Sequence, residues 1–217
     1  MKLSFSTRGW ADLGWDDALT CALDMGFDGI EPYNIMRNPE YVGAGGPFHK
    51  YSVTRTSRNL RWKSLSIPCL DSSCDISSES DRTLSEAEAM MVLADAAQIP
   101  YVSLYAREDN HDGIRGNLDI LARMAGQYGV TLLIKTSGVF SDTSKLRALL
   151  DEYACDNIAV LWDVHHPYRD CGESPYESIK NLGGYVRHVH LRDSDDAVTY
   201  NLIGEGTFPV TDVMNAL

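Results

Sequence analysis

The chain has 217 residues, 31 acidic against 19 basic side chains, 44% apolar content and a formal charge of −12. That length suits one domain or at most two small ones, and the apolar share excludes global disorder. The acidic balance argues against a nucleic-acid backbone or an anionic membrane surface as partner, since both require a basic face. No apolar run approaches the roughly 20 residues of a bilayer span. The N-terminus MKLSFSTRGW has no signal-peptide apolar block. Cys21, Cys69, Cys74, Cys155 and Cys171 are odd in number and hold no C-x-x-C. That usage speaks against a disulfide framework or zinc ribbon and for a cytoplasmic protein.

Taken in chain order, strands and helices alternate. A strand is predicted over 2–6 (KLSFS), then an amphipathic helix over 15–25 closed by Gly26. Residues 29–32 (GIEP) give the second strand, 53–63 a helix, and 65–70 (LSIPCL) the third strand. A helix over 86–97 precedes a fourth strand at 101–105 (YVSLY). Ile114, Leu118, Leu121, Ala122 and Ala125 then recur at helical spacing until Gly129. Strands follow at 130–134, 158–162 and 186–191, with helices at 145–153 and 176–182 between them. The final stretch GEGTFPVTDVMNAL reads as the start of a seventh helix.

Mostly apolar strands alternating with helices imply parallel pairing with helices packed outside. Without a Gly-rich dinucleotide fingerprint, the pattern favours an α/β (β/α) TIM barrel over a doubly wound sheet. A typical barrel has ~250 residues, so this one lacks the final strand–helix unit. The chain is read as a single barrel domain over 1–217, C-terminally truncated or the N-terminal part of a longer polypeptide. The loops at 33–52 and 71–83 follow strands, so both are candidate lids, with solvated connectors as the plainer reading.

Side chains alternate faces along a strand. Lys135 shares its face with Thr131 and Leu133, Asp163 with Ala159 and Leu161, and His190 with His188. Lys135, Asp163 and His190 are therefore expected to converge at the barrel mouth, the face that carries barrel chemistry. His188, one layer deeper, reads as a core histidine. Arg8 after the first strand and Arg192 after His190 could grip a phosphate or carboxylate bidentately, with a surface or structural ion pair as the plainer reading of each. Glu31 and Asp71 would fill out a sugar-sized pocket, and Trp10, Trp162 and Tyr168 could stack on sugar faces, although the strand phase of Trp162 favours packing beneath a helix. Asp163 beside His165 and His166 has no serine in a nucleophile-elbow setting, so a hydrolase triad is not supported.

The motifs FSTRGW (5–10), GFDGIE (26–31), LWDVHHPYR (161–169), VHLRD (189–193) and GEGTFP (204–209) together resemble the sugar phosphate isomerase/epimerase superfamily. This xylose isomerase-like TIM-barrel group includes inosose dehydratases, ketose 3-epimerases and endonuclease IV. The resemblance implies a divalent metal, Mn²⁺, Mg²⁺, Zn²⁺ or Co²⁺, held by residues ending the fifth to eighth strands. Asp163 matches the sixth-strand Asp of D-x-x-H and His190 the seventh-strand His, while His166 matches a substrate-contacting position. Lys135 stands where the pattern places Glu, and the eighth-strand Glu has no counterpart. A protonated lysine repels a divalent ion and offers only donors, so the implied site is degenerate. Lys135 could take the metal's electrostatic place by pairing with Asp163, or act as an amine nucleophile or base. Glu205 resembles the loop glutamate after the seventh strand and joins Lys135 as a catalytic candidate.

The implied activity is sugar (phosphate) isomerisation or epimerisation by proton transfer α to a carbonyl of a polyhydroxylated carbohydrate. The alternatives are a polyol dehydratase or lyase, and a non-catalytic carbohydrate-binding or regulatory barrel domain. The expected partner is a small sugar or sugar phosphate, with no nucleic acid and no membrane. The resemblance and an unclosed sheet edge point to a homodimer.

Overall fold

Strands form where β-branched and apolar residues run uninterrupted, and helices where the apolar spacing lengthens to three and four. The computed structural model describes residues 1–10, 13–78, 80–153 and 155–217. In chain order these give β1 (Ser4–Ser6), α1 (Trp15–Asp24), β2 (Gly29–Glu31), α2 (Pro39–Val42), α3 (Val53–Trp62) and β3 (Cys69–Leu70). Next come α4 (Asp81–Ala97), β4 (Tyr101–Ala106), α5 (His111–Tyr128), β5 (Thr131–Gly138), α6 (Thr143–Glu152) and β6 (Ile158–Asp163). The last are α7 (His165–Cys171), α8 (Pro175–Leu182), β7 (Val186–His190), β8 (Asp193–Ser194), β9 (Tyr200–Asn201) and α9 (Val210–Ala216).

The chain divides into two units. One comprises Met1–Cys74, Ser80–Ser103 and Asp119–Thr131; the other comprises Asp75–Glu79, Leu104–Leu118 and Leu132–Leu217. In the first, β1 pairs with β2 in parallel, and β3 with the start of β4. Single bridges Gly29↔Ser66 and Tyr33↔Asp71 tie the second strand position to the third. The third strand is shorter than its sequence suggests because Pro68 has no N–H to give to a ladder. The loop after β2 is not a hanging lid. It carries α2, and Tyr41 and Phe48 both pack edge-on against Trp15 of α1 while their own rings lie tilted to each other.

In the second unit the strand order runs from the end of β4 through β5 and β6 to β7. All six residues of β6 are buried, Trp162 completely, as expected of a parallel strand covered on both faces. The pairing of β6 with β7 contains a one-residue shift: Val160 faces Val186, but Leu161 faces His188 and Asp163 faces His190. Arg187 is the extra residue and is exposed. Without that bulge Val189 would stand opposite Asp163; with it, His190 does, and His188 stands opposite Leu161. Residues 75–78 are also pinned, since Asn117 Nδ2 donates to the carbonyls of Ile76 at 2.9 Å and Ser78 at 3.0 Å.

After β7 the parallel order stops. β8 and β9 form an antiparallel hairpin, and no eighth barrel strand follows among the described residues. Nor is any described helix long and apolar enough to cross a membrane.

The start of α8 shows how local chemistry sets these boundaries. Ser174 Oγ accepts from the Glu177 N–H at 3.3 Å, while the Glu177 carboxylate accepts from the Ser174 N–H at 2.9 Å, with Pro175 at the first helical position. Replacing Ser174 with alanine removes one half of this reciprocal cap. A loss of about 1 kcal/mol is expected, read as a lower urea midpoint with an unchanged slope.

Candidate functional site

The second unit places its polar side chains at the C-terminal ends of β5, β6 and β7, in two levels set by the register. Lys135 lies opposite Leu161, which lies opposite His188; one step on, Asp163 lies opposite His190. Lys135 therefore sits one level below Asp163. It is 4% exposed. His188 is half-buried, less enclosed than a core histidine, and its ring meets that of His190 edge-on at 5.4 Å.

Asp163 is almost fully buried and held on several sides. Its backbone N–H donates to Thr136 Oγ1 at 2.8 Å, and Thr136 Oγ1 donates to its carbonyl at 3.0 Å. The His165 N–H donates to Oδ1 at 3.4 Å. Arg192 places its guanidinium on Oδ2, and His166 Nε2 lies 3.9 Å from the same oxygen. Burial pushes the Asp163 carboxyl up, but Arg192, with His190 and His166, outweighs it and holds the group below its ordinary range. Asp163 is a carboxylate here.

Helix α7 was not expected, because HHPYRDC lacks an apolar helical stripe and contains Pro167. A proline in the first turn removes only an N–H that has no helical partner anyway. The helix turns His166 toward Asp163 and, one turn on, brings Asp170 to its other nitrogen at 2.9 Å. A carboxylate only accepts, so Nδ1 carries a proton and Nε2 is the nitrogen left to act as a base. His166 is about a quarter exposed, and Ser141 Oγ donates to Asp170 at 3.3 Å.

His165 turns the opposite way. Its Nε2 is 3.1 Å from Ser194 Oγ, and both residues are fully buried. Nδ1 has no hydrogen-bond partner among the described residues. Burial, with Arg192 and His166 nearby, pushes the imidazole below its ordinary value. Arg169 Nε donates to the same Ser194 Oγ at 3.0 Å. This serine–histidine pair is closed to solvent and lacks a carboxylate on Nδ1, so it is structural and forms no nucleophilic triad.

Sequence reasoning also missed Asp193. Its Oδ1 accepts from the Ser194 N–H at 2.7 Å and Phe208 N–H at 3.3 Å, and its Oδ2 from Gly204 at 2.7 Å and Gly206 at 3.1 Å. One carboxylate thus folds the GEGTFP loop back on β8. The signal was available in VHLRD, whose aspartate is followed by a glycine-rich segment. Glu205 is exposed on that loop. Tyr168 packs edge-on against Phe208 at 5.1 Å, and Trp162 is buried, so neither presents a stacking face.

In the first unit Arg8 is exposed, with its guanidinium 4.9 Å from the centre of the Tyr33 ring. Glu31 ends β2 and is 2% exposed. Asp71 follows β3 and is fully buried, Oδ1 accepting from Ser103 Oγ at 2.7 Å. Trp10 is half exposed and meets Phe5 edge-on at 6.3 Å.

The metal set implied by the resemblance does not fit Asp163. The oxygen that would ligate carries a guanidinium, and the fifth-strand position is a lysine where the pattern places a glutamate. Histidines 188 and 190 do bring ring nitrogens within 4.8 Å of one another, a spacing at which two imidazoles could share a transition metal.

Residues 19–217 match a family model described as xylose isomerase-like TIM barrel. No curated protein sequence matches the chain. Among solved structures, the probable 3-DHS dehydratase AsbF of Bacillus anthracis superposes with a TM-score of 0.85 at 18% identity, covering 100% of this chain and 88% of that one. The IolI protein with a bound zinc atom gives 0.80 at 17%, covering 100% and 84%. D-allulose 3-epimerase from Methylomonas sp., in complex with D-allulose, gives 0.75 at 16%, covering 100% and 79%. Identities this low establish a shared fold.

Proposed function

The chain belongs to the xylose isomerase-like TIM barrel family, and we propose that it is an enzyme that moves a proton α to a carbonyl of a polyhydroxylated carbohydrate. The observation that carries this reading is His166, which Asp170 orients and which offers a basic Nε2 beside the Asp163 carboxylate at the end of β6. An oriented imidazole of that kind is the usual general base for a C–H next to a carbonyl. Lys135 places an amine one level below, able to hydrogen-bond and polarise the substrate oxygen. Glu205 on the return loop is assigned as the second acid/base group that an epimerisation needs. No step is assigned to a metal.

A second reading has a specific support, since AsbF is described as a probable dehydratase and superposes at a TM-score of 0.85. Dehydration begins with the same proton removal and continues with loss of a β-hydroxyl as water.

Incubation in D₂O with a panel of ketoses, their phosphates and cyclic hydroxyketones tests both. Enzyme-dependent loss of an α-proton signal in the ¹H NMR spectrum is expected for at least one compound. An epimer or aldose product identifies isomerase chemistry, and an enone absorbance identifies dehydration. A panel that binds, as measured by calorimetry, yet shows no exchange overturns the enzymatic reading in favour of a carbohydrate-binding barrel.

A further inference from the structure

We propose that Arg192 is a built-in counter-cation at Asp163, so that Asp163 does not serve as a metal ligand in this protein. The sequence resemblance assigns Asp163 to a divalent ion, and the second unit assigns it to a guanidinium. Its side chain is 2% exposed and that of Arg192 24% exposed, so the pair sits in a medium that strengthens charge-assisted hydrogen bonds. Arg192 is also held from its other side. Its guanidinium lies 5.7 Å from the centre of the Tyr200 ring, within cation–π reach, and Tyr200 itself leans on His165 at 5.2 Å.

For a metal to take Oδ2, Arg192 would have to leave both the carboxylate and the aromatic face. The arriving ion would then share the pocket with a displaced guanidinium and stand one level above Lys135. The guanidinium is a like charge in poorly screened surroundings. Hard divalent ions need free oxygen donors to offset such repulsion, and the Asp163 carboxylate is already taken by the guanidinium. The bulge at Arg187 adds a physical reason for the arrangement. By bringing His190 opposite Asp163, it ends β7 in a phase from which Arg192, two residues on, turns back over the carboxylate. The inference does not depend on the reaction proposed above, because its test reads metal binding and not turnover.

The full chain, stripped with chelator and dialysed, would be titrated with MnCl₂ and ZnCl₂ by calorimetry. Asp163→Asn should bind both metals within twofold of the wild type, whatever the histidines of β7 contribute. Arg192→Gln should gain at least tenfold in Mn²⁺ affinity, and the double variant with Asp163→Asn should lose that gain. A tenfold weakening in Asp163→Asn, or no gain in Arg192→Gln, overturns the proposal. Should either variant misfold by circular dichroism, the wild type alone decides. In ¹³C-labelled protein the Asp163 carboxyl resonance should not move on adding Zn²⁺, and a zinc-dependent shift overturns the assignment.

Discussion

Replacing Asp193 with alanine is expected to lower the free energy of unfolding by about 3–5 kcal/mol, because a buried carboxylate that satisfies several donors disappears while the donors remain. The residue is 1% exposed and accepts backbone N–H groups from Ser194, Gly204, Gly206 and Phe208. An orphaned N–H in a buried place costs about 1–3 kcal/mol. Water entering the vacated space would restore some of the four, so the sum is not simply additive. Gly206 shows how closely the loop is fitted, since a Cβ there would lie 2.3 Å from Asp193 Oδ1. The measurement is a urea titration of wild type, Asp193→Ala and Asp193→Asn, the asparagine keeping one acceptor and losing about half as much.

The pH dependence of that difference follows from the carboxyl group itself. Burial raises its pKa, but the N–H groups of Gly206, Gly204, Ser194 and Phe208 outweigh burial and hold it below the ordinary value. A depressed carboxyl contributes its stability above the unfolded pKa of about 3.9 and loses it as pH falls through the folded value. The gap between wild type and Asp193→Asn should therefore be constant from pH 8 to 5 and close only below about pH 4. A gap that closes near neutral pH would assign the effect to another group.

The strands were legible because burial on both faces leaves an apolar run, as at 158–162, where prediction and structure differ by one residue. The third strand was overdrawn, since apolar residues around Pro68 satisfy the pattern without supplying the N–H that a ladder needs. The candidate site was legible only in part. Alternation along a strand gives the face a side chain takes, and it put Asp163 and His190 on one side correctly. It says nothing about the register between strands, which is why the bulge at Arg187 and the lower level of Lys135 were invisible. Beyond the strand ends the two-residue period no longer holds, so Arg192 and Asp193, adjacent in VHLRD, could not be given their different partners. Helix α7 escaped for a related reason: its seven residues owe their position to Asp163 and Ser194, and not to an apolar stripe of their own.

His166→Gln is expected to reduce kcat by about 10²–10⁴-fold on whichever substrate the deuterium exchange identifies, the range lost when a positioned acid/base group is removed. Glutamine keeps a polar end near Asp163 and Asp170 but cannot carry a proton between states. KM should therefore stay within a few-fold if the imidazole moves protons. If the ring only grips a hydroxyl, KM rises and kcat holds, and deuterium exchange at saturating substrate continues at the wild-type rate. Asp170→Asn sharpens the distinction. The carboxylate accepts from Nδ1–H at 2.9 Å and leaves Nε2 basic. An asparagine can instead donate to Nδ1, which favours the opposite tautomer and puts the proton on Nε2, where it blocks abstraction. A fall in kcat of about tenfold or more in Asp170→Asn is then expected. Its combination with His166→Gln should be little worse than His166→Gln alone, because Asp170 acts only through the ring it orients. Independent, multiplicative losses would separate the two residues and remove His166 as the proton carrier.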